Sequence, residues 1–481
     1  IAHGDLDNDG DLDIVVNHLN KPAGIYRNET SAPRIAVRLK GALENQFGIG
    51  AKIELSGSNL PQSQTMLGGG RYLSGDDTIQ TFAAIDLESA KLTVTWRNNR
   101  RTVIDQPRAN TLYEIHETSD SLAPKPKDPT AKPPIFGFSK LTIPSRHQEQ
   151  AFNDSERQPL LSRYYSRLGP SVAWFDYDSD GWDDLILGSG RSGRLAIFRN
   201  DQGQQFTELT KAPVTNPIPR DLSAVIGWHR GLNDPVVLAG SSNYEDGSTR
   251  GAAALQYELK TLKRIDAVPA VESSTGPLAL ADIDHDGDLD LFVGGRIIPG
   301  KYPQPANSQL FLNNGTDWQS DKKNEALLTQ IGLVSSATFS DLNQDGEPDL
   351  ILALEWGSIK VLINKRGKFS DATDQLGLSS YTGWWNAVAT GDFNNDGRID
   401  FAASNWGQNT RYESVRNKPL QIYYGDFSRT GRIIGIESFF DKQSGRNKPW
   451  ADLDLLALAL PELKRRFPSY RAFSQASTET V

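Results

Sequence analysis

Cysteine is absent from the 481-residue chain, which excludes disulfides and thiolate metal sites. Histidine is scarce: His3, His18, His116, His147, His229 and His285 are all there is. No two of them stand two to four residues apart, so there is no helix-borne zinc pair. No apolar run is long enough to span a membrane as a helix. No G-x-S-x-G elbow occurs. The glycine cluster "LGGGRYLSGDD" lacks the strand–loop–helix context that phosphate binding needs. Lysine and arginine are scattered rather than striped, which leaves no nucleic-acid footprint.

Aspartate, by contrast, is crowded. The chain opens on "IAHGDLDNDGDLDIVV", with five aspartates between residues 5 and 13. One such run alone reads equally well as a solvated acidic loop. Four more follow: "DYDSDGWDDLILG" from Asp176, "DIDHDGDLDLFVGG" from Asp282, "DLNQDGEPDLILA" from Asp341 and "DFNNDGRIDFAAS" from Asp392. Each fits D-x-[DN]-x-D-G-x-x-D before an apolar stretch.

Alternate residues of a tight loop converge their side chains on one point. Oxygens at positions 1, 3, 5 and 9, with the carbonyl of position 7, suit a hard cation such as Ca2+. Glycine at position 6 permits the sharp turn. The first loop then offers Asp5, Asp7, Asp9 and Asp13, with the carbonyl of Asp11. The same register gives Asp176, Asp178, Asp180 and Asp184 with Trp182, and Asp282, Asp284, Asp286 and Asp290 with Asp288. It gives Asp341, Asn343, Asp345 and Asp349 with Glu347, and Asp392, Asn394, Asp396 and Asp400 with Arg398. Four to five Ca2+ ions are expected, tying loops between strands.

An EF-hand fails as a reading. It needs Glu at position 12 and a following helix. Position 12 is Val16, Leu187, Val293, Leu352 and Ala403. The runs after the loops are short, apolar and often branched, which predicts buried strands.

The net charge of -9 is concentrated: the five loops hold 22 of the 60 acidic residues. Elsewhere basic residues outnumber acidic ones, 50 to 38, so an ion-loaded surface is mixed in sign. Low-affinity calcium loops fill where calcium is abundant, with dissociation constants of roughly 10⁻⁴ to 10⁻³ M. This predicts an extracellular or bacterial cell-surface location. Ile1 is not an initiator, which points to a processed or excised chain.

Loop starts at 176, 282, 341 and 392 are spaced by 106, 59 and 51 residues. The doubled first interval predicts a silent repeat near residue 229, spanning about 221–262, where "SAVIGWHRGLNDPVVLAG" has lost the aspartates. A degenerate copy begins at Tyr423, keeping Asp426 at position 1 but with Thr430 and Ile434 at positions 5 and 9. Repeats of about 50 residues with several short strands are the signature of a β-propeller.

The fold expected is therefore all-β: propeller blades with calcium loops, a small β-domain and a C-terminal helical segment. Residues 31–117 alternate as strands around a glycine-rich centre and form the small domain. Residues 118–145, rich in Pro and Lys, read as an extended linker. Blades occupy 146–440. In 441–481, "WADLDLLALALPELKRRF" is helical in pattern with a break at Pro461.

The calcium loops with their trailing strands resemble FG-GAP/VCBS repeats, the blades of integrin-α-type propellers. The stretch "FGIGAKIEL…GGGRYLSGDD…LTVTWRNNRRTVIDQPRANTLYEI" resembles an ASPIC/UnbV domain. Together they are similar to the cartilage acidic protein family and its bacterial surface relatives. The resemblance implies that residues 1–30 are the last blade of another, mostly missing propeller, and that the chain is a piece of a larger polypeptide or surface complex.

Ligand-binding candidates sit in the loops after each repeat's second strand: "GSGRSGR", "GGRIIPGKYPQP", "LEWGS" and "SNWGQNTRY", joined by "TGWWNA". In a propeller these rise on the face opposite the calcium loops. Arg191, Arg296, Tyr302, Trp356, Trp384, Trp385, Trp406 and Arg411 would crowd one surface, where Trp, Tyr and Arg anchor proteins or glycans. Trp356 and Trp406 have a competing role in packing blade tops. No catalytic residue is assigned; Glu355 is the one carboxylate worth nominating. A calcium-stabilised binding or adhesion module is the first reading. A propeller enzyme acting on polysaccharide is the second.

Overall fold

The computed structural model describes residues 1–7, 9–18, 22–41, 45–58, 61–69, 74–97, 100–117, 124–126, 136–138, 143–230, 234–315, 317–394, 396–407, 410–412 and 418–481. The architecture is mostly β, with a few short helices. No helix among the described residues is long and apolar enough to cross a membrane.

After the loops at Asp176, Asp282 and Asp341 the apolar run forms a buried strand; Asp13–Val16 is half-buried, and Asp400–Asn405, expected to be buried, is largely exposed. Asp184–Leu187 and Asp290–Ile297 are fully buried. So is most of Asp349–Gly357. Each pairs antiparallel with the strand before its loop and the strand after it. A fourth, more exposed strand completes the sheet. Polarity thus grades outward strand by strand, as a sheet packed at its inner edge requires.

The silent repeat is a full sheet. Asp221–His229, Pro235–Ser242, Ala252–Glu258 and Lys263–Pro269 pair in chain order. Arg230 holds Asp234 at 2.9 Å where the other repeats carry their loop. Residues 231–233 lie outside the described residues.

Strands Ala2–Gly4, Asp13–Val16 and Gly24–Asn28 form a sheet with Phe136–Phe138. The strands of residues 1–30 share a core with the next repeat, in which Ala2, Leu6, Val15 and Ile25 pack with Val172, Trp174, Leu185 and Phe198. Asn200 Nδ2 also donates to the Leu6 carbonyl at 3.1 Å. The segment expected as a linker contributes two short strands, Pro124–Pro126 against Thr111–His116 and Phe136–Phe138 against Gly24–Asn28.

The 31–117 region, with Pro124–Pro126 as an eighth strand, folds as two four-stranded sheets over one core of Ile35, Val37, Ile53, Leu92, Val94 and Trp96. Its glycine cluster has a packing role. Gly68–Gly69 pairs with Ala279 and Leu280, and Ser74–Gly75 with Val172 and Ala173. A Cβ on Gly68 would stand 3.2 Å from Leu280 Cβ, and one on Gly75 3.4 Å from Ala173 Cβ. Bare backbone lets these residues pair closely with the repeats' first strands.

At the C-terminus, Gln421–Gly425, Ile434–Asp441 and Arg446–Pro449 form a three-stranded sheet, so a hairpin crosses the expected boundary at 440. Helices begin at Leu453–Ala459, capped where Asp452 Oδ1 accepts from Leu455 N. Pro461 separates this helix from Leu463–Arg466, as its missing N–H dictates.

Candidate metal loops and aromatic cluster

The loops share one hydrogen-bond plan. The position-1 carboxylate accepts two backbone N–H groups across the turn: Asp5 from Asp9 and Gly10 at 2.9 and 2.8 Å, and Asp176 from Asp180 and Gly181 at 3.1 and 3.0 Å. Asp341 and Asp392 repeat this, and Asp282 accepts from His285 and Gly287. The degenerate Asp426 does the same with Thr430 and Gly431. Two residues turn left-handed. Gly10, Gly181, Gly287, Gly346 and Gly397 hold position 6, with φ between 83° and 109°. Ser179, His285 and Gln344 hold position 4.

Position 5 accepts from the position-7 N–H in each loop: Asp9 from Asp11, Asp180 from Trp182, Asp286 from Asp288, Asp345 from Glu347 and Asp396 from Arg398. Positions 1, 3 and 9 come together. Asp5, Asp7 and Asp13 each offer an oxygen within 4.8 Å of the others, as do Asp176, Asp178 and Asp184, and Asp282, Asp284 and Asp290. These three all-oxygen, anionic groups fit a hard divalent cation. The last two loops carry amides at position 3; Asn343 and Asn394 donate to Asp345 and Asp396. No three-carboxylate group forms there among the described residues.

Position 9 has a second job. Both oxygens of Asp184 accept backbone N–H groups, from Tyr177 at 2.9 Å and Asn200 at 2.8 Å. Asp13, Asp290 and Asp349 repeat this with Asn28, Asn313 and Asn364. The aspartate thereby clamps its loop to the repeat's third strand. Asn200 and Asn364 extend the tie to the neighbouring repeats' loops, donating to Leu6 O and Ile283 O. These asparagines escaped sequence reading. Their signal is the recurrent Asn closing "IYRN", "IFRN", "LFLN" and "VLIN".

Burial pushes Asp13 up to about 8, Asp184 to about 9 and Asp290 to about 8. Each folded-state value lies above the unfolded one of about 4. The ion-free fold therefore holds proton-linked stability in acid that is lost as pH rises through 8 to 9. In chelator, the urea midpoint is expected to fall steadily from pH 5 to pH 8.5, and saturating Ca2+ should flatten that slope. A flat profile in chelator contradicts this account of the loops.

Basic residues of the 31–117 region overlie the loops. Arg34 Nη2 lies 3.1 Å from Asp9 Oδ1, and Arg97 Nη1 2.7 Å from Asp282 Oδ2. Lys52 Nζ donates to the Gly397 carbonyl at 2.8 Å.

The second site centres on Glu355, which is buried at the end of Asp349–Gly357. Its Oε1 accepts from Tyr165 at 2.5 Å and Tyr302 at 3.1 Å. Its Oε2 accepts from Arg296 at 2.5 Å and from Arg163. Trp356 donates Nε1 to the Tyr302 hydroxyl at 2.5 Å. Trp356 and Trp406 each stack edge-on to Trp384, with ring centres at 5.4 and 4.0 Å. Arg163 lies over Trp384 and Trp406. The rings of Trp356, Trp384, Trp385 and Trp406 are half-buried.

The expected binding face is thus partly regrouped. Arg296 is fully buried and Tyr302 nearly so; they hold Glu355 instead of facing solvent. Trp385 points its Nε1 to the Tyr381 carbonyl at 3.0 Å. Arg411 pairs with Glu437 at 2.8 Å and lies over Tyr412 and Trp450. Arg191 joins Glu245, at 3.5 Å. Arg163, Tyr165 and Tyr412 escaped sequence reading; "SRYYSR", dense in Arg and Tyr before the first array loop, was the available signal.

Two family models match the sequence. FG-GAP-like repeats cover residues 282–352 and 341–403, and ASPIC and UnbV covers 41–122. The chain carries FG-GAP-like repeats and an ASPIC/UnbV domain. Neither is a typical catalytic family. The repeat matches span three of the aspartate loops, those from Asp282, Asp341 and Asp392, and the strands leading to Glu355. The ASPIC/UnbV match covers the two-sheet region, whose Arg97 meets Asp282, except for its first strand Arg34–Lys40 and its last, Pro124–Pro126. No curated protein matches the chain. Among solved structures, an Agrocybe aegerita lectin described for specific recognition of non-reducing terminal N-acetylglucosamine is 14% identical over 73% of this chain and 84% of that one, with a TM-score of 0.32. Rhamnogalacturonan lyase YesW is 13% identical over 88% of this chain and 67% of that one, with a TM-score of 0.24. At such TM-scores neither likeness carries a conclusion about this chain.

Proposed function

We propose that the chain is a non-catalytic binding module of extracellular or bacterial cell-surface location. Its FG-GAP-like repeats are propeller blades, and Ca2+ held by the aspartate loops stabilises them. The blades include residues 1–30 and the metal-free repeat at 221–262. A glycan or protein ligand is bound at the rim formed by Trp356, Trp384 and Trp406, with Arg163 beneath it and Arg411 alongside.

The observation that carries this reading is the state of Glu355. Four donors occupy its two oxygens. A general base needs a lone pair aimed at substrate, and this carboxylate spends its own on orienting Arg163, Arg296 and two tyrosines. The arrangement holds aromatic rings in place, as a binding surface requires, and speaks against the polysaccharide-cleaving alternative.

Trp406→Ala tests it. As a ligand anchor, its loss should weaken binding on a glycan or protein array by about 2 kcal/mol or more, with calcium content unchanged. Unchanged affinity with a stability loss of roughly 3–5 kcal/mol would make Trp406 a packing residue and end this assignment.

A further inference from the structure

A fourth carboxylate group lies outside the aspartate loops. Glu149, Asp221 and Glu245 each offer an oxygen, and the three oxygens stand within 4.8 Å of one another. Glu149 precedes the first repeat strand of the array, Asp221 opens Asp221–His229, and Glu245 follows Pro235–Ser242. The far end of Asp221–His229 reaches the loop face, where His229 Nε2 lies 2.9 Å from the Asp176 carbonyl. Eight residues of strand, about 26 Å, separate that loop from this group.

The two glutamate side chains are buried and short of donors. The side chains of Glu149 and Glu245 are 6% and 7% exposed. Oε1 of each is buried and has no hydrogen-bond partner among the described residues. Their other oxygens are engaged: Glu149 Oε2 lies 3.2 Å from His147 Nε2, and Glu245 Oε2 3.5 Å from Arg191 Nη1. Asp221 Oδ1 accepts from Arg191 N at 2.7 Å. Burial, then Glu149 and Glu245, push the Asp221 carboxyl up to about 8. The side chain of Arg191 is 45% exposed and its contact is loose. Two buried carboxylate oxygens without a donor are costly, and like charges at this range add to the cost. A cation at the centre resolves both.

We propose that Glu149, Asp221 and Glu245 bind a divalent hard cation of the Ca2+ type, which staples the segment before the repeats to the rim opposite the aspartate loops. The donors are all oxygen, which selects such an ion over zinc. The site draws on none of the D-x-[DN]-x-D-G residues, so it stands or falls apart from them.

The test is calcium content per full-length chain after dialysis against millimolar CaCl2. Glu149→Gln with Asp221→Asn should leave one ion fewer than the unmutated chain, whatever number the loops retain. Glu245→Gln, which keeps the side chain's shape, should do the same. Crystals of the unmutated chain soaked in Mn2+ should give an anomalous peak between the three carboxyls. Unchanged calcium content in both variants would overturn the proposal, leaving the acids to protons and Arg191. If the double variant fails to fold, Glu245→Gln and the Mn2+ peak decide, and no peak there overturns it equally.

Discussion

Chelating calcium is expected to remove about 2–5 kcal/mol of folding stability relative to a solution with about 2 mM free Ca2+. The figure follows from mass action. A site with a dissociation constant of roughly 10⁻⁴ to 10⁻³ M contributes about 0.6–1.8 kcal/mol at that concentration, and the aspartate loops carry three of the three-carboxylate groups. The cost falls on the loops that lead into the buried strands, so the repeats that carry these groups should loosen together. Urea unfolding with chelator, then with Ca2+ restored, measures it. Full recovery on adding Ca2+ is expected, with much less from Mg2+, whose octahedral demands suit this loop poorly.

Glu355→Ala should be the most damaging single substitution in the chain, at about 3–5 kcal/mol. It strands Arg296, which is fully buried, and takes the acceptor from Tyr165 and Tyr302, also buried. Arg163 loses the anchor that holds it over Trp384 and Trp406. Unfolding midpoints and intrinsic tryptophan fluorescence should both shift, while calcium content stays the same. A loss under about 1 kcal/mol, in the range of surface substitutions, would mean that Glu355 is not the organiser of this cluster.

The loops were legible because their chemistry is local. Nine residues fix the turn, and glycine at position 6 and carboxylates at positions 1, 3 and 5 follow from spacing alone. The strands after them were legible as apolar runs, and the sheet at 221–269 from interval arithmetic. The Glu355 cluster was half legible. Trp356, Trp384 and Trp406 were grouped by an argument about loop ends. Yet Tyr165 reaches Glu355 across 190 residues, and no local pattern encodes that distance. Arg296 and Arg191 stood alike in the sequence. Burial separated them, one beneath Glu355 and the other at Glu245. The glycine cluster was excluded as a phosphate loop, but its packing role went unread because the reason is tertiary: it pairs with strands about 100 to 210 residues away, in the close backbone approach that glycine permits.

Calcium content of the purified, calcium-equilibrated chain tests the central claim most directly. Elemental analysis should find at least three Ca2+ per chain, one for each of the groups at Asp5, Asp176 and Asp282. Fewer than two per chain would contradict the account.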